Sequence, residues 1–441
     1  MNYLQPILEA QSDAKALEGL YREARRQGAT AAFAEAMQSA FAQLPNNLLL
    51  AAWRYRLEED DQGATTGSAR KWRHALWISL ISGVLFWALA DLDHQQVLAH
   101  IPTLILAWAP ISAIFVMVFL AFSIGRHFAR AGLLAAGAAA AFGYVYFLAP
   151  QLGNQTYQEH YLDLAAGHLP LIAWATVGGF LLWRATDVDN GARNRFAFLI
   201  KSLEIMITGG LFVMAGGAFT GITIGMFEAL GIQLSAPVIR ILVGGGAGVI
   251  PVLAVVAMYD PEALPIAQAF AHGLSGLIST LMRLLLPLTL LVGLIYVAFI
   301  PFNFMQPFLD RDVLAIYNVM LFAVMALLIG VTPVHGSGLS PQMERWLRRT
   351  LLAVAALALL VSFYATAAIV YRIAGGGFTP NRLTVLGWNL VNMAVLGYLL
   401  FKQRQTPEAH WVPAMHQVIS WGANLYVAWG VAVIVLLPWL F

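Results

Sequence analysis

Residues 101–123 read IPTLILAWAPISAIFVMVFLAFS, a run without a single charged side chain. As an α-helix it is about 34 Å long, enough to cross a hydrocarbon layer of ~30 Å. A helix on the surface of a soluble protein keeps a polar face, and this stretch offers none. The pattern recurs on both sides. Apolar segments at about 75–92, 101–123, 130–149, 168–184, 203–226, 238–258, 284–304, 313–333, 350–370, 383–402 and 415–438 alternate with short polar loops. The expectation is an all-α fold: a polytopic transmembrane helical bundle of about eleven spans over residues 75–441. A lipid bilayer is then its first partner.

Composition agrees. Hydrophobic residues make up 60% of the 441 and charged residues 11%, and the mean hydropathy is +0.71. A soluble domain carries roughly 25% charged residues. A net charge of +2, with no basic run, argues against a nucleic-acid partner. The chain has no cysteine, which excludes disulfides, thiolate chemistry, iron–sulfur clusters and Cys-based zinc sites. Residues 1–47 are polar, with acidic groups throughout, unlike a cleavable signal, so the first span is expected to direct insertion.

Residues 1–74 read as a small cytoplasmic helical head and linker. Leu4, Ile7, Leu8, Ala14, Leu17, Leu20 and Tyr21 recur at helical spacing, and Gly28 ends that helix. A second helix is expected from Thr30 to Gln43. Asn47 then caps a third, Leu48 to Glu59, and a Gly/Thr linker follows at 60–68. The head reads as a cap on the membrane surface, with a docking module for a protein partner as the alternative.

Loop charge supplies orientation. Of the 25 basic residues, all but Arg240, Arg311, Arg372 and Arg382 fall in the head and in alternate loops. The N-terminus is therefore expected in the cytoplasm and Phe441 outside, in a bacterial inner membrane. The segment Pro261 to Met282 reads as an amphipathic helix lying on the inner surface and feeding the seventh span.

Chemistry-bearing residues are sparse. Glu204 lies just inside the fifth span, one turn after Lys201. It is either a proton-coupled carboxylate or half of an interfacial pair whose side chains snorkel to water. The fifth span carries Thr208-Gly209-Gly210, Gly216-Gly217, Thr220-Gly221 and Gly225; the sixth carries Gly244-Gly245-Gly246 and Gly248. Small residues at this spacing let helices approach closely, and unwound backbone at such places can line a solute path. Glu204, Thr208, Gly217, Thr220, Gly244, Gly245 and Gly246 form the candidate pathway. Arg240 is expected to pair with Glu228 or to stand solvated. His94, His100, His160 and His168 fall on the outer side with Asp91, Asp93, Glu159 and Asp163, but no metal-ligand spacing appears. No catalytic residues, metal or cofactor are proposed. Most of the tryptophans sit near span ends, as an interfacial belt does.

One outer hairpin stands apart: Tyr371-Arg372-Ile373-Ala374-Gly375-Gly376-Gly377-Phe378-Thr379-Pro380-Asn381-Arg382. Its glycines allow a tight turn, and Thr379 with Pro380 opens the next helix. Arg311, Arg372, Thr379 and Arg382 are candidates for an outer anion or ion-pair site, with Asp310 or Asp312 as partner carboxylates. Arg372-Ile373, Gly377-Phe378-Thr379 and Arg382 resemble the carboxy-terminal motif of a bacterial family of multi-span inner-membrane proteins catalogued as a domain of unknown function. Leu286-Pro287-Leu288 and Leu294-Ile295-Tyr296 are similar to an upstream span of that family. The resemblance covers about residues 280–402, with Gly376 where the family has Tyr, and it implies an inner-membrane bundle without an activity. The leading functional expectation is a transporter or permease-like protein for a small solute or ion. A non-catalytic subunit or scaffold comes second, and an envelope- or lipid-modifying enzyme with an outer site third.

Overall fold

The computed structural model describes residues 3–26, 29–183, 190–270, 273–335 and 339–441. Among the described residues the chain is all-α apart from a two-residue strand pair, Gln96–Val97 with Ile101–Pro102. It divides into two compact units, Met1–Arg73 and His74–Phe441.

The first unit is built from α1 (Leu4–Glu9), α2 (Ala14–Arg26), α3 (Thr30–Gln43) and the start of α4 (Leu48–Leu89). Its core joins Ile7, Leu17, Phe33, Met37, Leu50 and Trp53. The single first helix expected from the periodicity is two helices. Asp13 explains the break: its carboxylate accepts from the backbone N–H of Lys15 at 2.9 Å and Ala16 at 3.1 Å, capping α2. Gly28 lies outside the described residues. Asn47 caps α4 as its position implies, accepting from Leu49 and Leu50. Residues 60–68, expected as a linker, are helical backbone within α4. Two glycines at ~1 kcal/mol each do not outweigh propagation from both ends.

The second unit continues with α5 (Thr103–Ile124), α6 (Phe128–Leu148), α7 (Gln155–Leu182), α8 (Gly191–Ala229) and α9 (Ala236–Arg240). A single π-helical turn, Ile241–Gly245, leads into α10 (Gly246–Met258). Then come α11 (Gly273–Phe299), α12 (Gln306–Leu309), α13 (Arg311–Val331), α14 (Pro341–Gly376), α15 (Pro380–Gln405) and α16 (Trp411–Val435). Among the described residues, 11 helices are long and apolar enough to cross a membrane.

Helix α8 sits between two cores. Phe196 belongs to one with Leu328, Leu351, Leu396 and Val418, from α13 to α16. Phe198 belongs to the other with Val116, Phe180 and Val252, from α5, α7 and α10. Residues two apart on a helix point to nearly opposite sides, so one short stretch serves both. Only the first half of α8 is enclosed this way. Beyond Thr208, side chains such as Met214, Phe219 and Ile222 are exposed.

The segment 259–270 differs from its expected form. Of the helix expected over Pro261 to Met282, residues 273–282 are the start of α11, while 261–270 form a loop with one 3₁₀ turn, Pro265–Ala267. Polar hooks hold it down. The Ile266 N–H donates to Asn194 Oδ1 at 3.1 Å, and Gln268 bonds the backbone of Asp260 in both directions at 2.8 Å. Pro261 and Pro265 disfavour a continuous helix there.

Candidate functional site

Lys201 and Glu204 stand one turn apart on the same face of α8, both almost wholly buried. Lys201 Nζ donates to Glu204 Oε2 at 2.6 Å, to the Ala269 carbonyl at 2.5 Å and to Ser275 Oγ at 3.1 Å. All three ammonium donors are thereby used. Ser275 Oγ in turn donates to Glu204 Oε2 at 2.7 Å, and Thr208 Oγ1 donates to the Glu204 carbonyl at 2.8 Å. The Phe270 ring lies 4.8 Å from the ammonium. The pair forms as the spacing implies, but it does not snorkel. The 259–270 segment and the start of α11 close over it.

Glu204 also borders an open cavity of about 280 Å³ between α8, α11 and the end of α13. Phe270, Ser279, Arg283, Thr332 and His335 complete its polar and aromatic lining. Arg283 lies ten residues into α11, roughly 15 Å along the helix axis. Its Nε is shut away from solvent with no acceptor, and its guanidinium has no ion-pair partner among the described residues. His335 sits at the rim, edge-on to Phe270 at 5.8 Å.

A larger cavity, about 780 Å³, lies between α7, α8, α13, α15 and α16. Its walls are mainly apolar, among them Leu171, Trp174, Val395 and Ile419, with Arg195 at one edge. Nothing in it presents a buried charge lacking a counter-charge.

The candidate pathway residues are not gathered in one place. Glu204 and Thr208 adjoin. Gly217 lies further along α8, where a side chain would meet nothing within 4 Å, and α8 runs unbroken through it and Thr220. In the sixth candidate span the triplet packs against α4 instead. A Cβ on Gly244 would lie 2.5 Å from Ala90 Cβ, and one on Gly248 would lie 2.6 Å from the Phe86 ring. Gly245 approaches the Gly83 carbonyl, while Gly246 faces open space. The local disturbance is a widened π turn, not unwound backbone.

The hairpin residues also differ from expectation. Arg372 donates to the Leu309 carbonyl at 3.1 Å and Arg382 to the Gly377 carbonyl at 2.7 Å. The two guanidiniums thus tie backbone together and share no carboxylate in these bonds. Gly377 has φ +75°, and Thr379 caps α15 by accepting from the Arg382 N–H at 3.3 Å. The Arg311 and Asp312 side chains lie outside the described residues.

Arg240 pairs with Asp91 at 2.8 Å, not with Glu228, and so joins the end of α4 to α9. His94 bonds the other Asp91 oxygen at 2.9 Å. That bond, with Arg240 second, holds the Asp91 carboxyl below its usual range, and Asp91 raises His94 in return. His100 meets Asp163 at 2.9 Å. His168, expected in a polar outer loop, is buried in α7, its Nδ1 bonded to the Leu164 carbonyl and its Nε2 accepting from Trp388. Among the described residues no three potential ligands gather at a metal-sized site.

One polar seam escaped the sequence reading. Asn389 and Asn392, fully buried on α15, bond Asn318 Oδ1 (3.0 Å) and the Tyr426 hydroxyl respectively. Asn389 Oδ1 and Asn392 Nδ2 keep no partner among the described residues. Their i,i+3 spacing inside an apolar run was the available signal.

The fold and these sites define an all-α protein with helices of membrane-crossing length and a polar cavity beside a buried ion pair. No family model matches the chain, and no curated protein or solved structure does either.

Proposed function

We propose that the chain is a multi-pass protein of the bacterial inner membrane, permease-like, which binds a small solute or ion in the cavity between α8, α11 and α13. One observation carries the reading: a polar cavity holding Arg283 and bordered by a buried ion pair, in a bundle whose outward side chains are apolar. Leu133, Phe147 and Val319 are about 70% exposed, an arrangement that suits lipid and not water. Ionisable groups at such depth are expensive and face cavities or partners, which favours function over packing.

The basic residues support an orientation with the head inside. The cavity would then open to the cytoplasm past His335.

The reading is tested by reconstituting the full chain in vesicles and following exchange of small labelled solutes. Ser279→Trp, which fills the cavity, is expected to abolish an exchange that the wild type supports. Exchange unchanged by Ser279→Trp, or vesicles as impermeable as protein-free ones to every solute class, would contradict it.

A further inference from the structure

The charges around the 280 Å³ cavity do not balance. Glu204 is the one carboxylate in the lining, and Lys201 neutralises it at 2.6 Å. Ser275 adds a hydrogen bond to the same oxygen. Arg283 is left over: its Nε has no acceptor, and none of its nitrogens bonds a described residue. His335 contributes a second nitrogen group at the rim and no negative charge. Burying part of a guanidinium without a counter-charge is costly, and bundles retain such groups where a ligand supplies the charge.

We infer that this cavity is a binding site for a small oxyanion, whose oxygens take the Arg283 guanidinium. A guanidinium presents parallel N–H donors that match the oxygens of a carboxylate or a phosphate. Ser279 and Thr332 place hydroxyls in the same lining. Thr332 donates its proton to the Leu328 carbonyl at 2.7 Å, leaving its oxygen as an acceptor for a water or for a protonated oxyanion. Size restricts the ligand further. At ~30 Å³ per water, the space holds on the order of nine waters. Inorganic phosphate or a four-carbon dicarboxylate fits with water to spare. The inference deepens the permease-like reading by naming the substrate class of its site.

The test uses the full chain in detergent, with unfolding followed by tryptophan fluorescence. Inorganic phosphate, succinate, glycerol and choline are titrated at matched ionic strength. Phosphate or succinate is expected to raise the unfolding temperature saturably, and which of them does so identifies the oxyanion; glycerol and choline are expected to do nothing. Arg283→Gln should weaken that anion's apparent affinity roughly 10- to 100-fold. Arg283→Lys keeps the charge without the fork, guards against loss of folding, and should fall between. Arg404→Gln, at an exposed position away from the cavity, should match wild type. Absence of stabilisation by either anion, or equal stabilisation of wild type and Arg283→Gln, overturns the inference. Vesicle exchange separates it from the reading on which it rests. Arg283-dependent anion binding without exchange keeps the site and removes the permease. Exchange of a neutral or cationic solute, indifferent to Arg283→Gln, keeps the permease and removes the anion.

Discussion

Lys201 shows what a sequence can and cannot convey about one residue. Its spacing to Glu204 was legible, because i,i+3 pairs follow from helix geometry alone. Its burial was not, because the lid comes from residues 259–270, whose fold depends on distant hooks such as Asn194. Arg283, counted in the sequence only among the loop charges, stands ten residues into α11 beside a cavity. Lys201→Ala leaves Glu204 buried without its cation, and the expected loss is about 3–5 kcal/mol, measured by denaturant unfolding in detergent. A Lys201→Ala protein as stable as wild type would contradict a structural role for the pair. At the opposite end of the bundle, Asp91 raises His94 above its ordinary 6.5. The sign follows: the contact is complete below the unfolded value and is lost as pH rises through the raised folded value. Histidine NMR should show His94 titrating above 6.5, and Asp91→Asn should bring it back towards that value.

At the scale of elements, glycine composition alone could not separate two roles. In α10 and the π turn before it, Gly244, Gly245 and Gly248 mark a close approach to α4; in the second half of α8 the glycines face open space and the helix continues through them. Composition records small residues, and only the neighbouring helix decides whether their smallness is used. Gly248→Val, driven into Phe86, is expected to cost about 1–3 kcal/mol. Gly217→Ala, with nothing nearby and a gain in helix propensity, should be neutral or stabilising by up to ~1 kcal/mol. Equal effects of the two, read by the same unfolding assay, would show that α4 and α10 do not pack this closely. Asp13 makes a similar point in the first unit. Apolar periodicity ran through it, and the capping carboxylate nonetheless started a new helix.

For the whole molecule, class and helix positions were readable because length and apolarity are properties of each segment by itself. The cavity was not, since it is assembled from α8, α11 and α13, separated along the chain by the segments that connect them. The absence of cysteine makes the proposed orientation directly testable, because every introduced thiol is unique. In sealed vesicles, Thr406→Cys should react with a membrane-impermeant maleimide from the inner side only, and Gly375→Cys from the outer side only. The central claim, a water-filled polar cavity reached from the cytoplasm, is tested most directly by Ser279→Cys in right-side-out and inverted vesicles. The account predicts reaction with a small impermeant thiol reagent in inverted vesicles and none in right-side-out ones. A thiol at 279 that reacts from neither side, or only from the outer side, would contradict it.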